Sequence, residues 1–452
     1  MTALDVARAA LEAAGGDAEA VAHSERSGLA RFAGSEVHQP TLIENVVVTL
    51  RVVKGNRTGV ATTNKIDGEG LAELARRAEA AAATSPPDES FPGLAPPSQP
   101  PQVDGYDEAT AALGPDDQAR LAAAAIEAAG EIPVYGFFTS AESALAVAST
   151  TGLEVEQRMT DATTLVVAAA EGCSGYAEQT SWRADELEPA AVTREASEKA
   201  ARTTGAQTLE PGVYGAVLEP YAFADLLDYF SHDSLGALGL LEKRSYLADR
   251  IGRQVADEKI TIRDDPLDLH GLPKAFDFEG TPKHPVLLID SGVARGVVWD
   301  RTTAARAHDG ASTTGHAGPV ESRDWGPLPY SLAVSPGKAE SVDELAELVR
   351  DGIYITRLHY LGVIDPRAGI VTGMTRDGTF RIRDGKIAEP LVNLRFTLSV
   401  PDMLREVYGL TRKASLVNSQ NFYGDRYPYG VLAPALATAS FAITGVGSTP
   451  GI

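Results

Sequence analysis

The chain has 452 residues, 44% of them hydrophobic and 23% charged, which excludes disorder of the whole chain and provides apolar material for two or three packed domains. Forty Lys and Arg residues against 62 Asp and Glu give a formal charge of −22, so nucleic acid is a poor partner because its phosphates are repelled. The single cysteine, Cys173, excludes an intramolecular disulfide and any multi-cysteine metal site built by this chain alone. No apolar run reaches the roughly 18 residues of a membrane-spanning helix, and the opening MTALDVARAALEAAG carries acids where a signal peptide needs a basic flank. The expectation is a cytoplasmic protein with no membrane partner.

In chain order, Thr2 to Ala14 predicts a helix, with Thr2 and Asp5 in a capping-box pattern and Gly15-Gly16 as its stop. Short strands are predicted at Glu19 to His23, Leu29 to Phe32, Leu42 to Val53 and Gly59 to Thr63, with Lys54-Gly55-Asn56 as a hairpin turn. Asp67 to Ala83 predicts a second helix. The segment 85–101, SPPDESFPGLAPPSQPP, holds seven prolines, which deny it helix and central-strand geometry and leave an extended surface connection. Asp116 to Ala129 predicts a third helix, Val134 to Thr180 a string of strands, and Asp185 to Thr204 an acidic helix.

The character changes at Pro211-Gly212. Up to Glu210 there are 15 basic and 32 acidic residues, a net of −17, and beyond it 25 and 30, a net of −5. A strand (Tyr214 to Leu218) and a helical stretch (Tyr221 to Phe230) lead into many short strands. Asp377-Gly378 and Asp384-Gly385 carry tight-turn chemistry. Ser341 to Arg350 and Ser399 to Val407 predict further helices. The fold class is α+β in two domains: an N-terminal α/β-type domain over 1–209 with a mixed sheet and the proline-rich connection at 85–101, and a strand-rich, barrel-like domain over 210–452.

No P-loop, no glycine fingerprint between a strand and a helix and no G-x-S-x-G occurs. Asp228 and His232 are four apart on the helical stretch DLLDYFSHD and project from one face, but two ligands do not make a zinc site. His308 and His316 flank a glycine-containing loop, DGASTTG, better suited to contacting backbone or substrate than to fixing ligand geometry.

Several ordered landmarks resemble one family. They are RFAGSEVHQ (Arg31 to Gln39), RVVKGNRTGVATTN (Arg51 to Asn64), STTGLEVEQRMT (Ser149 to Thr160), LEPGVYGAVLEPYAFADLL (Leu209 to Leu227), the long stretch from Phe276 to Ala307, STTGHA (Ser312 to Ala317) and LVNLRFTLSVPDMLREV (Leu391 to Val407). Together they resemble the TldD/PmbA family, also called modulators of DNA gyrase, whose pairs assemble as heterodimeric zinc metallopeptidases acting on small or unfolded peptides. In the TldD-like subunits a helix after the strand carries H-E-x-x-x-H, and a cysteine near the C-terminus adds a ligand. The matching positions here read Asp228, Tyr229, His232 and Asp233, and SQNFYGDRYPYG (Ser419 to Gly430) has no cysteine. The resemblance implies the TldE/PmbA-like branch: a chain with no catalytic residue and no metal ligand, zinc residing in a TldD-like partner subunit, and a shared chamber for peptide substrate. His316, Phe422, Tyr423 and Tyr427 are the expected chamber or peptide contacts. A free-standing peptide-binding protein of the same fold, without protease activity, is the alternative.

Overall fold

The structure, a computed structural model, describes residues 1–307, 310–418 and 426–451. Its first half comprises α1 (Ala3–Ala13), β1 (Ala18–Ala33), β2 (Glu36–Lys54), β3 (Arg57–Thr63), α2 (Gly68–Thr84), α3 (Glu108–Ala111), α4 (Pro115–Glu127), β4 (Val134–Ser149), β5 (Glu154–Ala170), β6 (Cys173–Ser181) and α5 (Pro189–Arg202). Thr2 and Asp5 form the expected capping box on α1: the Thr2 hydroxyl accepts from the Asp5 amide at 3.2 Å, and the Asp5 carboxylate from the Thr2 amide at 2.9 Å. The predicted short strands fuse into long ones. β1 and β2 join at Gly34 and Ser35, both in the left-handed region (φ 59° and 64°), and pair along almost their whole length.

The sheet order is β3-β2-β1-β4-β5-β6, and every pairing is antiparallel. The mixed sheet expected in this half is therefore corrected. β1-β2-β3 and β4-β5-β6 are hairpin runs, and the helices between β3 and β4 return the chain to the free edge of β1, where β4 runs opposite to it. Period-two alternation sorts the two faces. Ala20, Ala22, Ala30 and Phe32 of β1, Phe138 and Ala146 of β4, and Ala162 and Val166 of β5 are buried under α1, α2, α4 and α5. Approach is close: a Cβ on Gly59 would stand 2.2 Å from the Ala78 carbonyl oxygen of α2, and one on Gly175 2.1 Å from that of Ala196 in α5. The other face turns to the second half of the chain.

That half contains β7 (Gly212–Leu218), α6 (Pro220–Ser234), α7 (Ala237–Leu241), β8 (Ile262–Asp264), β9 (Val286–Asp290), β10 (Val293–Ala294), α8 (Arg301–Arg306), β11 (Leu332–Val334), α9 (Val342–Val349), β12 (Gly352–Asp365), β13 (Ile370–Arg383), β14 (Lys386–Leu391), β15 (Leu394–Ser399), α10 (Val400–Met403), β16 (Val407–Asn418) and β17 (Gly430–Val446). Here lies the mixed sheet, with β7 parallel to β12 and β11 parallel to β17. Pairing of β17 with both β15 and β7 closes β17-β15-β13-β12-β7 into a ring, the barrel-like form expected. Leu226, Leu227 and Phe230 of α6 share one core with Ile353, Ile355, Phe396 and Phe441 of its strands.

Asp384-Gly385 is the expected two-residue turn, φ 49° and 78°, between β13 and β14. Asp377-Gly378 is not a turn. Ile355 faces Thr379 and Arg357 faces Arg376, so two residues oppose Thr356 alone and form a bulge within β13. The helix expected over Ser399 to Val407 is the single turn α10, capped by Ser399 and followed directly by β16.

The proline-rich segment is extended, as expected, and works as a strap across both halves. Ala95 is buried among Leu145, Leu153 and Phe276, its carbonyl accepts from Thr151 Oγ1 at 2.6 Å, and Ser98 Oγ donates to the Gly280 carbonyl at 3.0 Å. A second tie is ionic. Arg426, just before β17, inserts into the inner face of the first sheet, pairing with the fully buried Asp161 of β5 and donating to Thr139 Oγ1 at 2.7 Å. Arg426→Ala strands the Asp161 charge and is expected to lower the unfolding free energy by about 3–5 kcal/mol in urea titrations. Arg8→Ala, which opens the exposed pair with Glu154, leaves the midpoint close to the parent chain.

Candidate functional site

α6 begins where β7 ends. Glu219 precedes it and Pro220 occupies its first turn, where a missing amide hydrogen costs nothing. The Glu219 carboxylate is buried and accepts from Lys199 Nζ of α5 at 2.8 Å and from the Tyr354 hydroxyl, so the start of the helix is tied to both halves of the molecule.

The four residues at the metal-motif positions point to three destinations. Asp228 and His232 lie one turn apart with Oδ1 and Nε2 3.8 Å from each other, and the His232 ring sits 5.8 Å from that of Trp325. Burial raises the Asp228 carboxyl above its usual range, with His232 opposing only in part. Tyr229 turns to a neighbouring cleft. Asp233 is buried and ion-paired with Arg244. These donors do not fit zinc: Asp233 is committed to a guanidinium, Tyr229 offers a protonated phenol, and only Asp228 and His232 remain together. Among the described residues no three His, Cys, Asp or Glu side chains are placed to hold a metal ion.

His316 is fully buried. Its Nε2 is 2.7 Å from Asp264 Oδ2 and its Nδ1 2.9 Å from the Thr314 carbonyl oxygen. Burial, reinforced by Lys283, lowers the imidazole's pKa. Lys283 donates to the Gly315 carbonyl at 2.7 Å, and burial together with Lys283 brings the nearby Lys274 down to about 7. Tyr427 packs on this buried group, its ring 4.8 Å from Phe278, 5.6 Å from Tyr330 and 5.3 Å from Lys274 Nζ. In this chain His316 and Tyr427 thus occupy an internal polar core. Phe422 and Tyr423, like His308, lie outside the described residues.

The cleft beside α6 was not singled out in the sequence. Its volume is about 210 Å³, and its walls come from β6 (Tyr176, Glu178), α6 (Tyr221, Asp225, Tyr229), β12 (Arg357 to Leu361) and the end of β16. Burial raises the Glu178 carboxyl to about 7, although the Tyr176 hydroxyl donates to it at 2.6 Å and the Asn418 amide at 3.0 Å. Burial, with repulsion from Glu178, raises Asp225 to about 8. Arg357 is committed to Asp377 through Nε at 2.7 Å, and its guanidinium lies 4.2 Å over the Tyr176 ring. The signal available in the sequence was Asp225 itself, one turn before Tyr229 on the predicted helix. Nothing local pairs it with Glu178.

Comparison with known proteins places the chain. Residues 211–445 match the family described as PmbA/TldA metallopeptidase C-terminal domain, and residues 18–82 match PmbA/TldA metallopeptidase domain 1. A metalloprotease of Methanothermobacter thermautotrophicus is 30% identical over 222 residues, 48% of this chain and 47% of that protein. Metalloprotease PmbA of Escherichia coli O157:H7 is 25% identical over 207 residues, 44% and 42% of the two chains. These alignments span about half the length of each relative. Among solved structures, TldE from Thermococcus kodakarensis superposes with a TM-score of 0.84 at 19% identity over 98% of this chain and 99% of that one. A Thermotoga maritima protein described as a modulator of a DNA gyrase gives 0.82 at 19% identity over 95% and 96%. At such identities the superpositions speak for the fold alone.

The raised carboxyls set a pH dependence. Asp225 ionises near 3.8 when unfolded and near 8 when folded, so the stability it contributes is complete below about pH 4 and is lost as pH rises through 8. Asp225→Asn removes that loss. Its melting temperature is expected to match the parent near pH 4 and to exceed it by several degrees at pH 8.5, as read by thermal melts across that range.

Proposed function

The chain belongs to the PmbA/TldD metallopeptidase family, and from that premise we propose that it is the non-catalytic, TldE-like subunit of a two-chain zinc peptidase acting on small or unfolded peptides. The observation that carries this reading is the donor set on α6. Hydrolysis at zinc needs ligands that hold the ion with one position open and a base that takes a proton from its water. Here Tyr229 stands where the resemblance places the base, and a phenol whose pKa burial raises still further takes no proton at neutral pH. Asp233 is held by Arg244. The sequence offers no cysteine other than Cys173, which is buried in β6.

In this assembly zinc and the base belong to the TldD-like partner, and this chain contributes shape and peptide contacts to a common chamber. The cleft beside α6 suits peptide contact, being concave, polar at its base and walled by tyrosine rings. A cytoplasmic site of action accords with peptides as substrate.

Co-expression with a partner chain carrying H-E-x-x-x-H tests the assignment. The expected outcome is co-elution at one-to-one stoichiometry on size exclusion, zinc in the pair, and peptide cleavage by the pair but not by this chain alone. One tightly held zinc per isolated chain, lost in the double variant Asp228→Ala/His232→Ala, would show that α6 keeps a metal site and defeat the reading.

A further inference from the structure

Arg357 is the guanidinium lining the cleft beside α6, and its hydrogen bonds are committed to Asp377. Asp377 engages it through both Nε and Nη2, and although burial opposes its charge, this pairing holds its pKa above the usual value. Glu178 and Asp225 have no comparable counter-ion. Glu178 accepts from a hydroxyl and an amide, and among the described residues no Lys, Arg or His stands at ion-pair distance from either carboxylate. Asp228, on the next turn of α6, adds to the negative potential. The cleft therefore presents two oxygen acceptors at the base of an aromatic well, and its one fixed cation forms part of the wall.

We propose that this cleft is a binding site for an alkylammonium group, supplied by a lysine side chain or a free N-terminus of a peptide. The choice of charge follows from the lining. An anion would meet Glu178, Asp225 and Asp228 with only Arg357, shared with Asp377, to offset them among the described residues, and an apolar group would cover carboxyls whose remaining lone pairs it cannot satisfy. An ammonium donates to both carboxylates and lays its methylene stem against the tyrosine rings, where cation–π attraction adds to the contact. The volume of about 210 Å³ is smaller than a drug-sized pocket and suits one alkylammonium group with its stem.

The rim carries an independent sign of a ligand. Tyr360 is 76% exposed and sits in the left-handed region at φ 51°, a conformation that costs a bulky residue on the order of 1–3 kcal/mol. It lies where β12 slips register between His359 and Gly362, its ring 4.1 Å from the His359 ring, and both line the cleft. The bulge thus holds a largely exposed aromatic ring at the cleft, in contact with the His359 ring.

Binding is coupled to protons. At pH 7 the facing phenols Tyr176, Tyr221 and Tyr229 are neutral, their pKa values raised by burial. His359 is neutral too, lowered by burial and by Arg376 and Arg357. Behind Tyr221, Lys199 is balanced by Glu195 and Glu219. Glu178 at about 7 and Asp225 at about 8 are the groups that titrate, so an arriving ammonium displaces protons and binds more tightly as pH rises from 6 to 8.5.

Such binding is a property of this chain alone, whether or not a catalytic partner exists. The test is calorimetric titration of the isolated full-length chain at pH 8 with three capped peptides: acetyl-Ala-Lys-Ala-amide, acetyl-Ala-norleucine-Ala-amide, and Ala-norleucine-Ala-amide with a free N-terminus. An ammonium-bearing peptide is expected to bind about tenfold or more tighter than the acetylated norleucine peptide, the scale of one charge-assisted hydrogen bond, with proton release. Which of the two does so identifies the side chain or the terminus as the source. Asp225→Asn should abolish that preference even though the variant is the more stable protein at this pH, which separates lost binding from lost folding. Tyr360→Ala, a change at an exposed position, should weaken binding severalfold. Equal binding of the acetylated norleucine and lysine peptides without preference for the free terminus, no binding of either ammonium peptide, or an unchanged preference in Asp225→Asn overturns the assignment.

Discussion

Charge buried at the seam between the two sheets is the constraint on which the rest of the molecule depends. On the inner face of the first sheet stand Glu19 and Glu25 of β1, Asp161 of β5 and Glu178 of β6, all buried. A carboxylate cut off from water needs a donor or a cation, and without one it costs several kcal/mol. Two of the donor residues come from the other half of the chain: Arg426 for Asp161 and, through its amide, for Glu25; Asn418, through its amide, for Glu178. In return, Glu219 at the start of α6 takes Lys199 from α5. Each half holds groups that the other satisfies, so separating them would strand charges on both sides. Because the Asn418 amide donates to Glu178, β16 and β6 meet at the wall of the cleft beside α6.

The same constraint explains what could be read from the sequence and what could not. Helix ends were legible because caps are local: Thr2 with Asp5, Asp67 before α2, Ser341 before α9. Asp384-Gly385 was legible as a hairpin turn for the same reason. Asp377-Gly378 carries identical chemistry and is a bulge, since left-handed residues serve a turn and a bulge equally and only the partner strand decides. The strands were read as short because their inner faces are polar. Ser24 to Gly28, SERSG, looks like a loop, yet it lies in the middle of β1, with Glu25 and Ser27 buried at the seam. Polar residues that find partners across a domain interface break the apolar alternation on which a strand reading rests.

The candidate site divides along the same line. Asp228, Tyr229, His232 and Asp233 could be found because a helix places neighbours at fixed spacing, and the structure adds what spacing cannot: the side chains leave α6 in different directions, with Asp233 committed to Arg244. Glu178, Asp225 and Arg357 could not be found as a group. They reach one cleft from β6, α6 and β12, elements brought together only when the ring of strands docks on the first sheet.

Departures from local rules usually scatter or compensate one another, and here they converge. Burial, which Arg357 offsets only in part, raises Glu178 and Asp225, so at neutral pH the folded chain gives up stability that plain amides at these positions would keep. Tyr360 adopts a backbone conformation that side chains rarely take. A polar cavity stands open where apolar filling would pack better. Each feature lowers stability when taken singly, while the core around Leu226, Leu227 and Phe230 is built from other residues. Costs that share one location without a structural return mark a place where the chain is organised for something it contacts. They lie along α6, on the side that Asp225 and Tyr229 share and apart from the Asp233–Arg244 pair.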